Sequence, residues 1–179
     1  WGAGQGLSNL VYLTIGTGIG GGALVNGQLL HGYAHPEMGH ILLPVHPADI
    51  SFKGVCPFHG TCLEGLASGP AIEARWNQPA ASLPQDHPAW QLEAHYLALG
   101  LVNICLTLAP ERIILGGGVM NQSFLFPMIR SELTRLLGNY LRLPQIADME
   151  NYVVPTGLAG IAGLYGGLAL AHQALQNQQ

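Results

Sequence analysis

Four residues at metal-ligand spacing constrain this chain more than any other feature. Cys56, His59 and Cys62 are separated by two residues each, and His40 lies sixteen positions before Cys56. Two thiolates and two imidazoles form a closed tetrahedral donor set for a structural zinc ion. The spacing therefore predicts a zinc-bound loop within residues 35–65, in which the ion is a scaffold and not a Lewis acid. The alternative is that the two cysteines are ordinary core residues and that His59 is a surface residue of a turn.

The composition indicates a single core and excludes several kinds of partner. The 179 residues, 49% of them hydrophobic, are enough for one substantial core. Charged residues make up only 9% of the chain and the formal net charge is −4, so no basic face is available for nucleic acid. The most apolar stretch, residues 157–171, is too short to span a bilayer and is predicted to be a packed helix. We therefore expect neither a nucleic-acid nor a membrane partner.

The cysteines indicate the cellular compartment of the protein, and the first residue indicates whether the chain is a piece of a longer one. Cys105 stands alone in an apolar segment, and with the other two cysteines assigned to the loop no disulfide framework is predicted. This pattern is typical of a reducing compartment, so we expect a cytoplasmic protein. The chain begins at Trp1 without an initiator methionine or a signal-peptide pattern, and we expect it to be a piece of a longer protein.

Strand and helix patterns along the chain predict an α/β layered fold. The glycine-rich residues 16–22 separate two β-rich runs, and Asn26-Gly27 is a strong two-residue hairpin signal, so the chain should open as an antiparallel meander. Helical and strand patterns then alternate. The predicted elements are strands at 10–15, 23–25, 41–43, 112–115 and 152–154, two short helices joined at Gly69 within 63–76, and helices at 90–108, 123–137 (with Ser123 as N-cap) and 159–174.

The first glycine run, residues 16–21, matches the dinucleotide-binding string G-x-G-x-x-G. No helix pattern follows it and it carries no lysine, so its context excludes both a Rossmann site and a P-loop. Where side chains are missing, the backbone N–H groups and the Thr17 hydroxyl can approach an anion closely. We therefore predict a phosphate contact here. The alternative is that the glycines only permit a tight, bulged hairpin.

Two further groups of residues are candidates for ligand binding. Glu37, His40 and Glu64 would supply the acceptors and donors that the hydroxyls of a neutral sugar need, unless the two carboxylates are simply solvated surface groups. The second glycine run, residues 116–118, follows a predicted strand. The carboxyl end of a strand in an α/β layer is where ligands bind, although a plain strand-to-helix turn is the alternative.

Four segments of the chain resemble the bacterial fructokinases of the ROK group of sugar kinases. They are residues 13–22 (LTIGTGIGGG), 35–40 (HPEMGH), 56–72 (CPFHGTCLEGLASGPAI) and 113–120 (IILGGGVM). The resemblance implies an actin-like ATPase fold of two ribonuclease-H-like lobes, of which residues 1–179 would be the C-terminal one. It also implies the site roles: a structural zinc on His40, Cys56, His59 and Cys62, the sugar on Glu37, His40 and Glu64, the nucleotide phosphates on Thr17 and Gly18, and the adenosine end on Gly117 and Gly118.

The same resemblance implies an activity. ROK fructokinases transfer phosphate from ATP with Mg²⁺ to a hexose, so we expect phosphorylation of fructose to fructose 6-phosphate, a step of carbohydrate metabolism, by a homodimer. The family's catalytic aspartate would lie upstream of Trp1, and this chain alone is therefore expected to be inactive. Asp49 and Asp86 lie in proline-containing loops, and we expect neither to have the positioned partner of a substitute base. The alternative is the sugar-sensing body of a ROK transcriptional repressor.

Overall fold

A five-stranded mixed sheet organises the part of the chain that the computed structural model describes, residues 1–158 and 160–176. Its strands, in the order β3-β2-β1-β4-β5, are β1 (Leu10–Ile15), β2 (Ile19–Val25), β3 (Gln28–Leu29), β4 (Arg112–Gly116) and β5 (Val153–Pro155). β1, β2 and β3 are antiparallel neighbours, whereas β4 pairs in parallel with both β1 and β5. Because β1 and β4 are parallel, their carboxyl ends lie side by side, with Thr14 opposite Gly116.

One long helix supplies much of the buried core. The helices are α1 (Leu63–Ala67), α2 (Gly69–Trp76), α3 (Ala89–Leu108), α4 (Leu125–Leu137), α5 (Pro144–Ala147), α6 (Met149–Tyr152) and α7 (Ala162–Gln176). α3 packs against α4 and α1, and its Trp90 and Tyr96 are completely buried. It ends at Leu108. The next residue, Ala109, has a left-handed backbone conformation and stands directly before a proline, which cannot continue the helix. α3 is therefore the support on which the short helices of the site rest.

Most of the predicted elements are confirmed. β1, α3 and the pair α1 and α2 occur where the sequence predicts them. Asn26 and Gly27 both have positive φ, as a two-residue hairpin turn requires. The strand predicted at 41–43 is wrong, because Leu42 forms only an isolated bridge to Cys62. Within residues 1–158 and 160–176, no neighbouring strand forms a ladder with this apolar run.

The beginnings of two elements differ from their predictions. The glycines at 20–22 belong to β2, so the turn of the hairpin consists of residues 16–18 alone. α4 begins at Leu125 after Phe124, so Ser123 is not its N-cap. The backbone of this region is already bonded in a turn, in which Leu125 N–H donates to the Gln122 carbonyl. Helices α5 and α6 were not predicted.

The last helix is present but is not packed as the sequence suggests. Of the predicted range 159–174, Ala159 lies outside the described residues, and α7 begins at Ala162. Its large apolar side chains include Leu164 and Leu168, which are 64% and 54% exposed. A Cβ placed on Gly163 or on Gly167 would meet nothing within 4 Å. The expectation of a closely packed helix is therefore wrong for these residues. Among the described helices, none combines the length and the apolar character needed to cross a membrane.

An ion-pair cluster joins α3 to α4. His95 Nδ1 lies 2.6 Å from Glu132 Oε1, and Arg135 donates to both Glu132 oxygens at 2.6 and 2.8 Å. The hydrogen bonds from Arg135, helped by His95, lower the pKa of Glu132 to about 2. A carboxylate whose pKa is lower in the folded chain than in the unfolded chain stabilises the fold once it is ionised.

Replacing Glu132 with glutamine is expected to lower the free energy of unfolding by about 1 kcal/mol at pH 7, as for a partly exposed ion pair. The stabilisation is present above the unfolded pKa of about 4.3 and is lost as the pH falls towards the folded value. The difference between variant and wild type should therefore shrink as the pH falls from about 4.5 to about 2 in urea titrations. Glu150→Gln, which alters a carboxylate that is 77% exposed, is the control. A difference in the free energy of unfolding that stays constant with pH would contradict the stabilising role of the ionised Glu132.

Candidate active site and metal centre

The four predicted metal ligands come together at one point. Cys56 Sγ lies 3.7 Å from both His40 Nδ1 and His59 Nδ1, and Cys62 Sγ lies 3.6 Å from His40 Nδ1. All four donor atoms are within 4.8 Å of one another. Zinc bonds of about 2.3 Å to sulfur and 2.0–2.1 Å to nitrogen, at tetrahedral angles, separate a sulfur from a nitrogen by about 3.6 Å. The donor set therefore fits a tetrahedral zinc ion.

Local backbone structure places these ligands. His40 ends a single 3-10 turn, Met38–His40, and Cys62 is the N-cap residue of α1. The bridge between Leu42 and Cys62 holds the two segments side by side. Cys62 Sγ accepts a hydrogen bond from the Gly65 backbone N–H at 3.4 Å. The position of the metal centre is consequently tied to the beginning of α1.

The two thiols differ in acidity. A hydrogen bond from the backbone N–H of His59 lowers the pKa of Cys56 to about 6, which favours its thiolate form. Burial raises the pKa of Cys62 above its ordinary value. Metal binding requires both thiolates and therefore displaces the proton of Cys62.

The turn of the first hairpin is held by residues distant in sequence. Glu64 Oε2 accepts a hydrogen bond from the Ile19 N–H at 2.9 Å, and Gly69 N–H donates to the Gly16 carbonyl at 2.8 Å. A shallow cavity of about 330 Å³ opens here, lined by Thr14, by residues 16–20 and by Glu64. The predicted sugar ligand Glu64 thus lies directly against the predicted phosphate loop.

The second glycine run lies beside the first. Gly117 has a φ of +92°, and a Cβ on it would lie 2.3 Å from the Ile15 carbonyl oxygen, so only glycine fits. A Cβ on Gly16 would be 3.8 Å from the backbone nitrogen of Gly118. The parallel pairing of β1 and β4 therefore brings Thr17 and Gly18 to the same edge of the sheet as Gly117 and Gly118.

The segment with Glu37 and His40 lies against β2. A Cβ on Gly39 would lie 1.8 Å from the Ile19 carbonyl oxygen, so the two backbones are in direct contact. Glu37 is exposed and pairs with His35 at 2.8 Å. His40 directs Nδ1 to the sulfur atoms of Cys56 and Cys62, which leaves Nε2 outside the metal donor set. The segment of His40 and the helix of Glu64 thus both approach Ile19, one at its carbonyl oxygen and the other at its N–H, while Glu37 remains at the surface.

Asp49 is the clearest error of the sequence reasoning. It is only 4% exposed and does have positioned partners, since Arg75 Nε donates to it at 3.0 Å and the Tyr96 hydroxyl at 2.8 Å. These partners lie 26 and 47 positions away in sequence, so no local pattern announces them. Asp86 is exposed, as a loop residue is expected to be.

The sheet order, the two adjacent glycine turns and the loop with the clustered ligands define an α/β lobe of the actin-like ATPase type found in sugar kinases. The sequence profile of the ROK family matches residues 1–174, and the chain belongs to this family.

Three relatives make the likeness more specific. A putative fructokinase of Bacillus subtilis is 50% identical over 98% of this chain and 59% of its own length. A fructokinase of Pediococcus pentosaceus is 44% identical over 94% of this chain and 57% of its own length. The crystal structure of a ROK glucokinase from Streptomyces griseus, in complex with glucose and AMPPNP, has a TM-score of 0.73 and 26% identity over 95% of this chain and 62% of its own. The chain thus spans a little under 60% of the length of the curated relatives it matches.

Proposed function

We propose that this chain forms the C-terminal lobe, residues 1–179, of an ATP-dependent hexose kinase that converts fructose to fructose 6-phosphate. The observation that carries the proposal is the contact between Glu64 and the glycine hairpin, which puts an acceptor for sugar hydroxyls next to a phosphate loop. A kinase needs these two functions side by side, because phosphoryl transfer depends mainly on positioning and electrostatic stabilisation.

The proposed roles follow the geometry of the site. Thr17 and Gly18 contact the phosphates with Mg²⁺, and Gly117 and Gly118 contact the adenosine end. Glu37, His40 and Glu64 bind the sugar hydroxyls. The ring of His40 is oriented by its Nδ1 atom, which faces the sulfur atoms of the metal cluster, and its Nε2 atom is left to contact the sugar.

The metal centre is proposed to hold zinc on His40, Cys56, His59 and Cys62. With four protein donors the ion has no open position, so it would supply structural support alone. The measured sulfur–nitrogen separations support this proposal. By fixing the loop, the ion would hold His40 against the hairpin.

Fructose is proposed as the hexose because both curated relatives described above carry fructokinase in their names. The solved glucokinase contains glucose and AMPPNP, which supports the general pairing of a hexose with an adenine nucleotide. The catalytic base is proposed to lie outside these 179 residues. Asp49 is buried and bound to Arg75 and Tyr96, so it is not free to take a substrate proton, and Glu64 is assigned here to hydrogen bonding of the sugar hydroxyls.

A coupled assay of ADP release tests the proposal. We expect the full-length protein to turn over fructose with Mg·ATP, with kcat/KM for fructose exceeding that for glucose or mannose by about tenfold. The 179-residue chain alone is expected to show no turnover, because a missing general base costs about 10²–10⁴ in rate.

Each alternative result has a definite meaning. Turnover by the 179-residue chain would overturn the proposed location of the base. Absence of turnover with any hexose, from folded and zinc-loaded full-length protein, would overturn the kinase and favour a sugar-sensing repressor. Assembly as a homodimer and a cytoplasmic location stay predictions from the sequence.

A further inference from the structure

A buried ion pair holds the middle of the sequence segment that joins His40 to Cys56. Asp49 follows His40 by nine positions and precedes Cys56 by seven. Its side chain is 5% exposed, and that of its partner Arg75 is 7% exposed. Arg75 Nε lies 3.0 and 3.1 Å from the two Asp49 oxygens. The segment between the metal ligands is therefore fixed at its middle as well as at its ends.

The ion pair ties three elements together. Arg75, in α2, donates through Nη2 to the carbonyl of Leu66 in α1 at 2.8 Å. Tyr96, in α3, donates its hydroxyl proton to Asp49 at 2.8 Å and accepts from the His46 N–H at 3.1 Å. We call Asp49, Arg75 and Tyr96 the clamp. Through it, the segment that follows His40 is bound to the helix that carries Glu64.

The surroundings of the clamp make it rigid. The ring of Phe52 covers the guanidinium of Arg75, with 4.1 Å from Cζ to the ring centroid. Glu93 is a second carboxyl group in the interior, 1% exposed and without a hydrogen-bond partner among the described residues. Burial raises its pKa well above the ordinary value, which favours its neutral form. The carboxylate that bonds Arg75 is therefore that of Asp49. Removing one partner of such a pair would leave the other charge buried and unpaired, so the geometry of the clamp depends on both residues.

We propose that Asp49 is a positioning residue, which acts through Arg75 and Tyr96 to set the loop of Glu37 and His40 relative to Glu64. The sugar contacts would then depend on a carboxylate that touches neither sugar nor metal. This inference rests on the proposed function of the site. Replacing Asp49 is expected to act by misplacing the sugar-binding loop and not by removing a ligand of the sugar.

Asp49→Asn in the full-length protein tests the inference. The amide keeps the shape but loses the charge that orients Arg75. We expect the KM for fructose to rise about tenfold while the KM for ATP stays unchanged, since the loop moves and the glycine turns do not. We also expect the visible absorption bands of the Co²⁺-substituted protein to shift, because the donors of the metal centre change their angles. Glu150→Gln, which breaks the ion pair between α6 and Arg130 of α4, away from the metal loop, should leave both readouts unchanged.

The possible results separate the two proposals. An unchanged KM for fructose in Asp49→Asn overturns the positioning role, whatever happens to the melting temperature. If Asp49→Asn does not fold, Tyr96→Phe removes one clamp hydroxyl without adding volume and decides the question by the same measurements. Wild-type protein without hexose turnover would overturn the proposed function. In that case the cobalt spectrum of Asp49→Asn still decides whether the clamp sets the metal loop.

Discussion

Cys62→Ser is expected to abolish stoichiometric zinc binding and to lower the melting temperature by about 10–20 °C. Structural zinc in small sites contributes about 10–16 kcal/mol of apparent binding free energy, and losing about 5 kcal/mol of it would shift a domain of this size by that amount. Cys62 is completely buried, 3.6 Å from His40 Nδ1, and also caps α1. A serine hydroxyl stays protonated and cannot replace the thiolate. Zinc content by elemental analysis and thermal unfolding give the two readouts.

Cys105→Ser is the matched control for this change. Cys105 is buried as completely as Cys62, but its Sγ lies 3.3 Å from the Tyr152 hydroxyl and outside the metal donor set. It should keep one equivalent of zinc and respond to a chelator as the wild type does. The chelator should bring the wild type down to the melting temperature of Cys62→Ser and lower that variant no further. A Cys62→Ser protein that retains zinc would show that Cys62 is not a ligand, and a wild type that binds no zinc would show that the two cysteines are ordinary core residues.

The parts of the fold that the sequence predicts are those whose signals are local. The Asn26-Gly27 turn needs only two residues with positive φ, and α3 has helical periodicity over its whole length between two prolines. The run at 41–43 is apolar, but among the described residues it forms only an isolated bridge. Whether such a run pairs as a strand depends on how the rest of the chain folds around it. For α7 the apolar stretch suggests a packed helix, yet apolar composition alone cannot say whether a neighbouring element is present.

The candidate site divides in the same way. The clustering of His40, Cys56, His59 and Cys62 was predictable because three of them lie within seven residues and because the chemistry of such a donor set is specific. The contact of Glu64 with Ile19 and the pair of Asp49 with Arg75 join residues 45 and 26 positions apart. No composition or periodicity encodes such contacts, since they arise only when α1 and α2 pack against the hairpin and the metal loop.

Gly39→Ala is expected to separate the sugar loop from the phosphate loop. The added methyl carbon would lie 1.8 Å from the Ile19 carbonyl oxygen and 2.8 Å from its carbon, whereas ordinary contacts begin at 3.4 Å. Because both partners are backbone, the loop must shift by more than 1 Å. We expect the free energy of unfolding to fall by about 3 kcal/mol. Since a misplacement of 1 Å costs about 10² in rate, kcat/KM for the hexose should fall by about 100-fold in the full-length protein.

Gly22→Ala separates this contact from a general effect of replacing a glycine near the hairpin by alanine. Gly22 lies in β2, the strand that contains Ile19, but a Cβ on it would meet nothing within 4 Å. This variant should stay within about 0.5 kcal/mol of the wild type and keep its activity. If Gly39→Ala were as active as Gly22→Ala, His40 would not need its place beside the hairpin, and its proposed contact with the sugar would be wrong. A loss of activity in Gly39→Ala but not in Gly22→Ala would instead support the contact of Gly39 with Ile19 as the one that keeps the bound sugar in line with the phosphate.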